Sequence, residues 1–181
     1  MTFYASLLPS PTIGDGLQDL HDFIGPEHIT KVISGRFGPN MGIQPPHFTV
    51  AQGLITKYQP TELHRRIKMI AGCFEPGLEL STFPEVIHPR NELILQPYDR
   101  TMELLLLLNS ILVSSFSLTK KPDQKESVPH LSLAFLDKRL DSEDLNRELV
   151  EREINFGVMA LFVAVYKGNA SLVHTRYYLR S

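Results

Sequence analysis

The chain has 181 residues, 43% of them hydrophobic, with 18 Lys and Arg against 20 Asp and Glu and a formal net charge of −2. That is material for one compact domain, residues 1–181, with a full apolar core and no disordered composition. The charge balance excludes a global positive field that would gather long nucleic acid by counterion release, and a single cysteine, Cys73, excludes an internal disulfide or a cysteine-rich zinc site.

The first residues, Met1 to Pro11, carry no basic leader and no long apolar core, so no signal peptide is expected; with the lone cysteine this fits a reducing, cytoplasmic location. Residues 3–8 read as an apolar strand, and 14–24 as a helix with Leu17, Leu20, Phe23 and Ile24 on one side. The stretch 34–46, with Gly35, Gly38, Gly42 and three prolines, is irregular. A strand over 48–54 follows, then a helix over 62–71, where Leu63, Ile67 and Ile70 recur at helical spacing and Gly72 makes a stop. Residues 78–87 and 92–96 form two strands about the turn His88-Pro89-Arg90-Asn91.

The leucine-rich stretch 101–116 is too short for a membrane span and is expected as a helix buried on nearly all sides. A polar loop, 120–127, leads into a strand over 128–136. Asp141 or Ser142 caps a charged amphipathic helix that runs to about Ile154 and is broken by Gly157. Residues 158–166 and 172–179 close the chain as strands joined at the turn Gly168-Asn169. Each half thus offers a strand, a helix and a strand pair, which predicts an α+β fold of two pseudo-equivalent lobes.

One phrase occurs twice. Pro46-His47-Phe48-Thr49-Val50-Ala51 and Pro129-His130-Leu131-Ser132-Leu133-Ala134 both read Pro, His, apolar, hydroxyl, apolar, Ala. On an extended chain His47 and Thr49 share one face while Phe48 and Val50 share the other, and His130 and Ser132 repeat the arrangement. Proline cannot donate a ladder hydrogen bond, which puts each histidine at the beginning of a strand. Two imidazoles on opposite sides of a phosphodiester can divide the work. The neutral one takes a proton from the attacking water or hydroxyl, and the imidazolium gives one to the leaving oxygen. The Thr49 and Ser132 hydroxyls can donate to the non-bridging oxygens where charge gathers. The scheme needs no metal and no cofactor, and neither hexapeptide holds an Asp, Glu or Cys that would complete a zinc site around its histidine.

His28-Ile29-Thr30 supplies an internal control, since it lacks both the leading proline and the following apolar residue, and it is set aside. His21, His64, His88 and His174 have no partner pattern and are assigned to surface or turns. Arg36 is a minor candidate for a phosphate contact. Tyr98, Tyr166 and Tyr178 are candidate stacking platforms, with packing the plainer assignment. Arg176 shares a strand face with His174 and Tyr178.

The paired motifs resemble those of the two-histidine (2H) phosphoesterase superfamily, which includes LigT-like RNA cyclic phosphodiesterases and the plant and fungal cyclic nucleotide phosphodiesterases. Its mark is two His-x-Thr/Ser motifs, each followed by an apolar residue. The resemblance implies a bilobal fold with two antiparallel sheets around a central cleft and helices outside, catalytic roles for His47 and His130, and substrate-binding roles for Thr49 and Ser132. It also implies a metal-independent hydrolase that opens the 2′,3′-cyclic phosphate of a nucleotide or an RNA end, with no membrane and no obligate protein partner. Two alternatives stay open. One is a 2′,5′-oligoadenylate phosphodiesterase or an RNA 3′-end processing enzyme, which needs a longer groove; the other is a non-catalytic nucleotide-binding module on the same fold.

Overall fold

The structure, a computed structural model, describes residues 1–35, 37, 45–57, 59–75, 77–120 and 128–179. In chain order its elements are β1 (Thr2–Pro9), α1 (Ile13–Ile24), β2 (Ile29–Val32), β3 (Phe48–Leu54), α2 (Pro60–Gly72), β4 (Glu79–Ile87), β5 (Glu92–Pro97), α3 (Asp99–Phe116), β6 (Leu131–Leu136), α4 (Ser142–Leu149), β7 (Ile154–Lys167) and β8 (Ala170–Tyr178). The repeat of supersecondary structure is as expected: β3-α2-β4-β5 in one half, β6-α4-β7-β8 in the other.

All strand pairings are antiparallel, in the order β2-β6-β5-β4-β7-β1-β3, with β8 also on β7. β7 belongs to two sheets. Its first residues, Ile154 to Gly157, pair with β4, and from Val158 onward it pairs with β1, then also with β8 from Ala160. One sheet is therefore β3-β1-β7-β8 and the other β2-β6-β5-β4, joined through the start of β7. Phe3, Leu7, Phe48, Leu93, Leu95, Leu105 and Leu131, each at most 1% exposed, belong to one apolar core reaching into both lobes. Full burial of each such side chain is worth about 1.5–3 kcal/mol.

The two motif strands share a device that alternation alone does not reveal. Where β3 pairs with β1, Thr49 stands opposite Ser6 and Ala51 opposite Ala5, leaving Val50 over. Where β6 pairs with β5, Ser132 stands opposite Ile94 and Ala134 opposite Leu93, leaving Leu133 over. Each motif strand thus carries a β-bulge at the residue after its hydroxyl, and the extra residue lets two successive side chains, Val50-Ala51 and Leu133-Ala134, both be buried.

Three local expectations change. The leucine-rich helix α3 lies against β3, β4 and β5 and buries one stripe, Thr101, Leu105, Leu108 and Leu112, while Leu106 and Leu107 are 52% and 60% exposed. It is a surface helix, because a helix on one side of a sheet can bury only the face it turns inward. Helix α4 ends at Leu149, with Asp141 as its cap accepting from the Glu143 and Asp144 amides, and Gly157 sits inside β7, where Ile154 to Gly157 are engaged by β4. The second motif strand starts at Leu131, not 128, since Pro129 has no N–H for the ladder.

Candidate active site

The two hexapeptides present themselves identically. Along each, the proline is buried, the histidine half-buried, the next residue buried, the hydroxyl half-buried, and the last two buried. Both histidines sit one residue before their strand begins, at His47 before Phe48 and His130 before Leu131. The sheets bring the copies together. His47 and Thr49, with Pro45 and Gln52, form one wall of a cleft of about 210 Å³; His130 and Ser132, with Val128 and Pro129, form the other, and Ile33 and Ser34 complete it.

Each imidazole is held in the same way. His47 Nδ1 lies 2.9 Å from the Pro45 carbonyl oxygen and His130 Nδ1 lies 2.8 Å from that of Val128. A carbonyl can only accept, so Nδ1 carries the proton in both rings and Nε2 is the nitrogen left for the cleft. In the neutral ring Nε2 is a base, and in the imidazolium it is an acid.

The hydroxyls differ. Thr49 Oγ1 is 2.8 Å from the Tyr4 hydroxyl, whereas Ser132 donates to Glu92 Oε1 at 2.5 Å. Burial pushes the Tyr4 phenol above its usual value, against the opposing hydrogen bonds from Thr49 and Ser6, so it remains a neutral donor. When Tyr4 donates to Thr49, the threonine proton is free for the cleft. The Ser132 proton is committed to Glu92, and Ser132 offers the cleft only lone pairs while that bond holds.

Sequence reasoning missed Tyr4, Glu92 and Ser34. Ser34 is 1% exposed and its Oγ has no hydrogen-bond partner among the described residues. Its segment is fixed by the bulge, since the Ile33 and Ser34 amides both donate to the Leu133 carbonyl, at 2.8 and 3.0 Å. An unpaired buried hydroxyl costs about 1–3 kcal/mol, and here it lines the cleft. The bulge on β6 is the physical link between this segment and the motif, and a bulge leaves no mark in composition or spacing.

The remaining candidates scatter. His28-Ile29-Thr30 does enter a strand, but Ile29 pairs with Leu136, at the end of β6 remote from His130, and Thr30 Oγ1 donates to the Phe135 carbonyl at 2.9 Å. His21 is buried against Phe37, not on the surface, with ring centroids 5.5 Å apart. His64 bonds to Tyr177 and His88 to Ser142. Tyr98 packs on Phe83, Tyr178 is exposed, and Tyr166, His174 and Arg176 line a second cavity beside the cleft. Arg36 lies outside the described residues, as do Gly38, Gly42 and most of the 120–127 loop. Among the described residues no three His, Cys, Asp or Glu side chains gather to hold a metal ion, and no helix is long and apolar enough to cross a membrane.

Two lobes each contribute one histidine and one hydroxyl to a common cleft from the mouth of a bulged strand, and the α+β fold that carries them is the LigT-like 2H phosphoesterase fold. Solved structures agree over nearly the whole chain. The crystal structure of E. coli LigT complexed with 3′-AMP is 13% identical, with a TM-score of 0.53 over 99% of this chain and 98% of that one. The same protein complexed with NADP+ is 14% identical, at 0.53 over 98% and 96%, and Kluyveromyces marxianus Usb1 is 12% identical, at 0.50 over 97% and 98%. No family profile and no curated protein matches the sequence. At these identities the likeness speaks for the fold.

Proposed function

We propose that residues 1–181 act as one domain, a metal-independent phosphodiesterase that hydrolyses the 2′,3′-cyclic phosphate of a nucleotide or an RNA end in the cytoplasm. The observation that carries the reading is the shared cleft. His47 and His130 enter it from opposite walls, each with Nδ1 tied to a backbone carbonyl and Nε2 left over. A binding module has no need of two titrating groups held in the same tautomer.

Water attacks phosphorus and its proton passes to Nε2 of the neutral imidazole. The bond to one ribose oxygen breaks, that oxygen takes a proton from the imidazolium, and the product is a monoester. The pair ends with its protons exchanged, and exchange with solvent resets it. Thr49 donates to a non-bridging oxygen as charge develops there, and Ser34 has a hydroxyl with no other partner among the described residues. Retention of the monoester on one ribose oxygen is the expected product. A 2′,5′-linked oligoadenylate or an RNA 3′ end is cut by the same two groups, and it is distinguished by product analysis.

The test assays the wild type, His47→Ala and His130→Ala in chelator against 2′,3′-cyclic nucleotides, 2′,5′-oligoadenylate and RNA 3′ ends. Each histidine supplies about 10²–10⁴ in rate, so both variants should lose that much on the cyclic substrate. Full activity in either one refutes the two-histidine mechanism. Loss of wild-type activity in chelator alone would require a metal, and nucleotide binding with no turnover of any ester would leave the module.

A further inference from the structure

A second cavity, about 600 Å³, adjoins the cleft, and Pro45, His47 and Gln52 line both. It lies on the inner face of the β3-β1-β7-β8 sheet, where register sets four residues in one row. Thr49 stands opposite Ser6, Ser6 opposite Phe162, and Phe162 opposite Arg176. The row runs hydroxyl, hydroxyl, aromatic ring, guanidinium. Three strand spacings separate its ends, about 14 Å between backbones, and the arginine side chain can reach back over part of that span. His174 sets its ring edge-on to Phe162, with centroids 4.8 Å apart.

Among the described residues the cavity wall holds no carboxylate, and Arg176 is its one guanidinium. Arg176 is exposed and forms no ion pair among the described residues. The other sheet is the reverse. Glu92, which accepts from Ser132, shares its face with Glu85, the residue opposite Ile94. In a chain of net charge −2, the carboxylates on the two inner faces thus fall on the second, which carries Glu79, Glu85 and Glu92 against one lysine, Lys31, opposite Phe135.

We propose that this row is a subsite for a second phosphate group. The substrate's cyclic phosphate enters the His47–His130 cleft, its nucleoside lies against Phe162, and a phosphate on the 5′ side of that nucleoside meets Arg176. The inference rests on the phosphodiesterase reading and narrows its substrate to a nucleotide or RNA end phosphorylated on the 5′ side. A guanidinium matches a phosphate with two parallel hydrogen bonds, an aromatic face accepts any base, and the carboxylates of the opposite lobe disfavour an anion there. A line of phosphates leaving the cleft is thus directed over β7 and β8.

The test compares three substrates at one ionic strength: a nucleoside 2′,3′-cyclic phosphate, the same compound with a 5′-phosphate, and a dinucleotide ending in the cyclic phosphate. Wild-type kcat/KM should favour the phosphorylated compounds roughly five- to tenfold, and Arg176→Gln should bring that ratio to one. A gain with the 5′-monoester alone names a mononucleotide, a gain with the dinucleotide names an RNA end, and either supports the subsite. No gain in the wild type, or a gain that survives Arg176→Gln, overturns it; a structural defect would slow all three alike and leave the ratio standing. Affinities for a nucleoside 3′,5′-bisphosphate and 3′-monophosphate are measured in parallel. If no ester is cut, the phosphodiesterase reading fails, and a bisphosphate preference lost in Arg176→Gln still upholds the subsite, while equal affinities refute it.

Discussion

Tyr4 and Glu92 occupy the same station in the two halves of the fold, each two residues before the residue opposite its lobe's motif hydroxyl, and they treat those hydroxyls oppositely. Tyr4 can give a proton to Thr49, and Glu92 takes one from Ser132. The repeat in the sequence is symmetrical, and its supporting residues are not.

The two hydroxyls should therefore separate in function. Thr49→Val should lower kcat/KM by about 10²–10³, the usual cost of losing one preorganised donor. Ser132→Ala should cost less in rate and more in stability, about 1–3 kcal/mol, because it strands the buried Glu92 carboxylate. Adding Glu92→Gln should recover part of that loss. Urea titrations and steady-state kinetics on the same four proteins check it; equal kinetic losses would contradict the assignment.

Ser34→Ala is expected to trade function for stability. Removing an unpaired buried hydroxyl should leave the fold equally stable or stabilise it by up to about 1–3 kcal/mol. A phosphate oxygen in the cleft would lose its partner, so KM for the cyclic substrate should rise. A fall in Tm with unchanged kinetics would show the hydroxyl to be structural.

Acid should weaken the fold through Asp137. Hydrogen bonds from the Arg139 guanidinium, then from its backbone N–H, hold this carboxyl at about 2, while an unfolded aspartate titrates near 4. The folded value is the lower one, so this contribution is complete above pH about 4 and is lost as pH falls through about 2. Asp137→Asn should flatten the fall of the urea midpoint across that window. Glu62, also held at about 2 by Arg65 and Arg66, should keep part of the acid sensitivity in the variant.

The two sides of α3 should respond differently to the same change. Leu105→Ala, at a fully buried position, should cost about 2–5 kcal/mol. Leu107→Ala, at 60% exposed, should stay within about 0.5 kcal/mol. Chemical denaturation of the pair measures the difference directly.

The strand limits of β3, the strand pair β4-β5 and the pairing of the two motifs were readable because they rest on local signals: proline, turn residues and alternation. The motif's closing alanine was readable only as a matched letter. Its physical meaning is the bulge, where two neighbours must go inward together, and bulges depend on the partner strand. Tyr4 and Glu92 escaped notice for the same reason, since each comes to its hydroxyl across a neighbouring strand. The leucines of α3 misled because a run of apolar residues does not state how many faces have neighbours. Arg176 was noticed for the face it shares with His174, but the row ending at Thr49 needed three registers at once.

β7 is common property of the two sheets, handed from β4 to β1 between Gly157 and Val158. The strand that joins the two histidine-bearing sheets thus carries neither histidine, and α3, packed on β3 of one sheet and on β4 and β5 of the other, braces the same junction. A residue there could retune which esters fit while standing far from every atom of the chemistry.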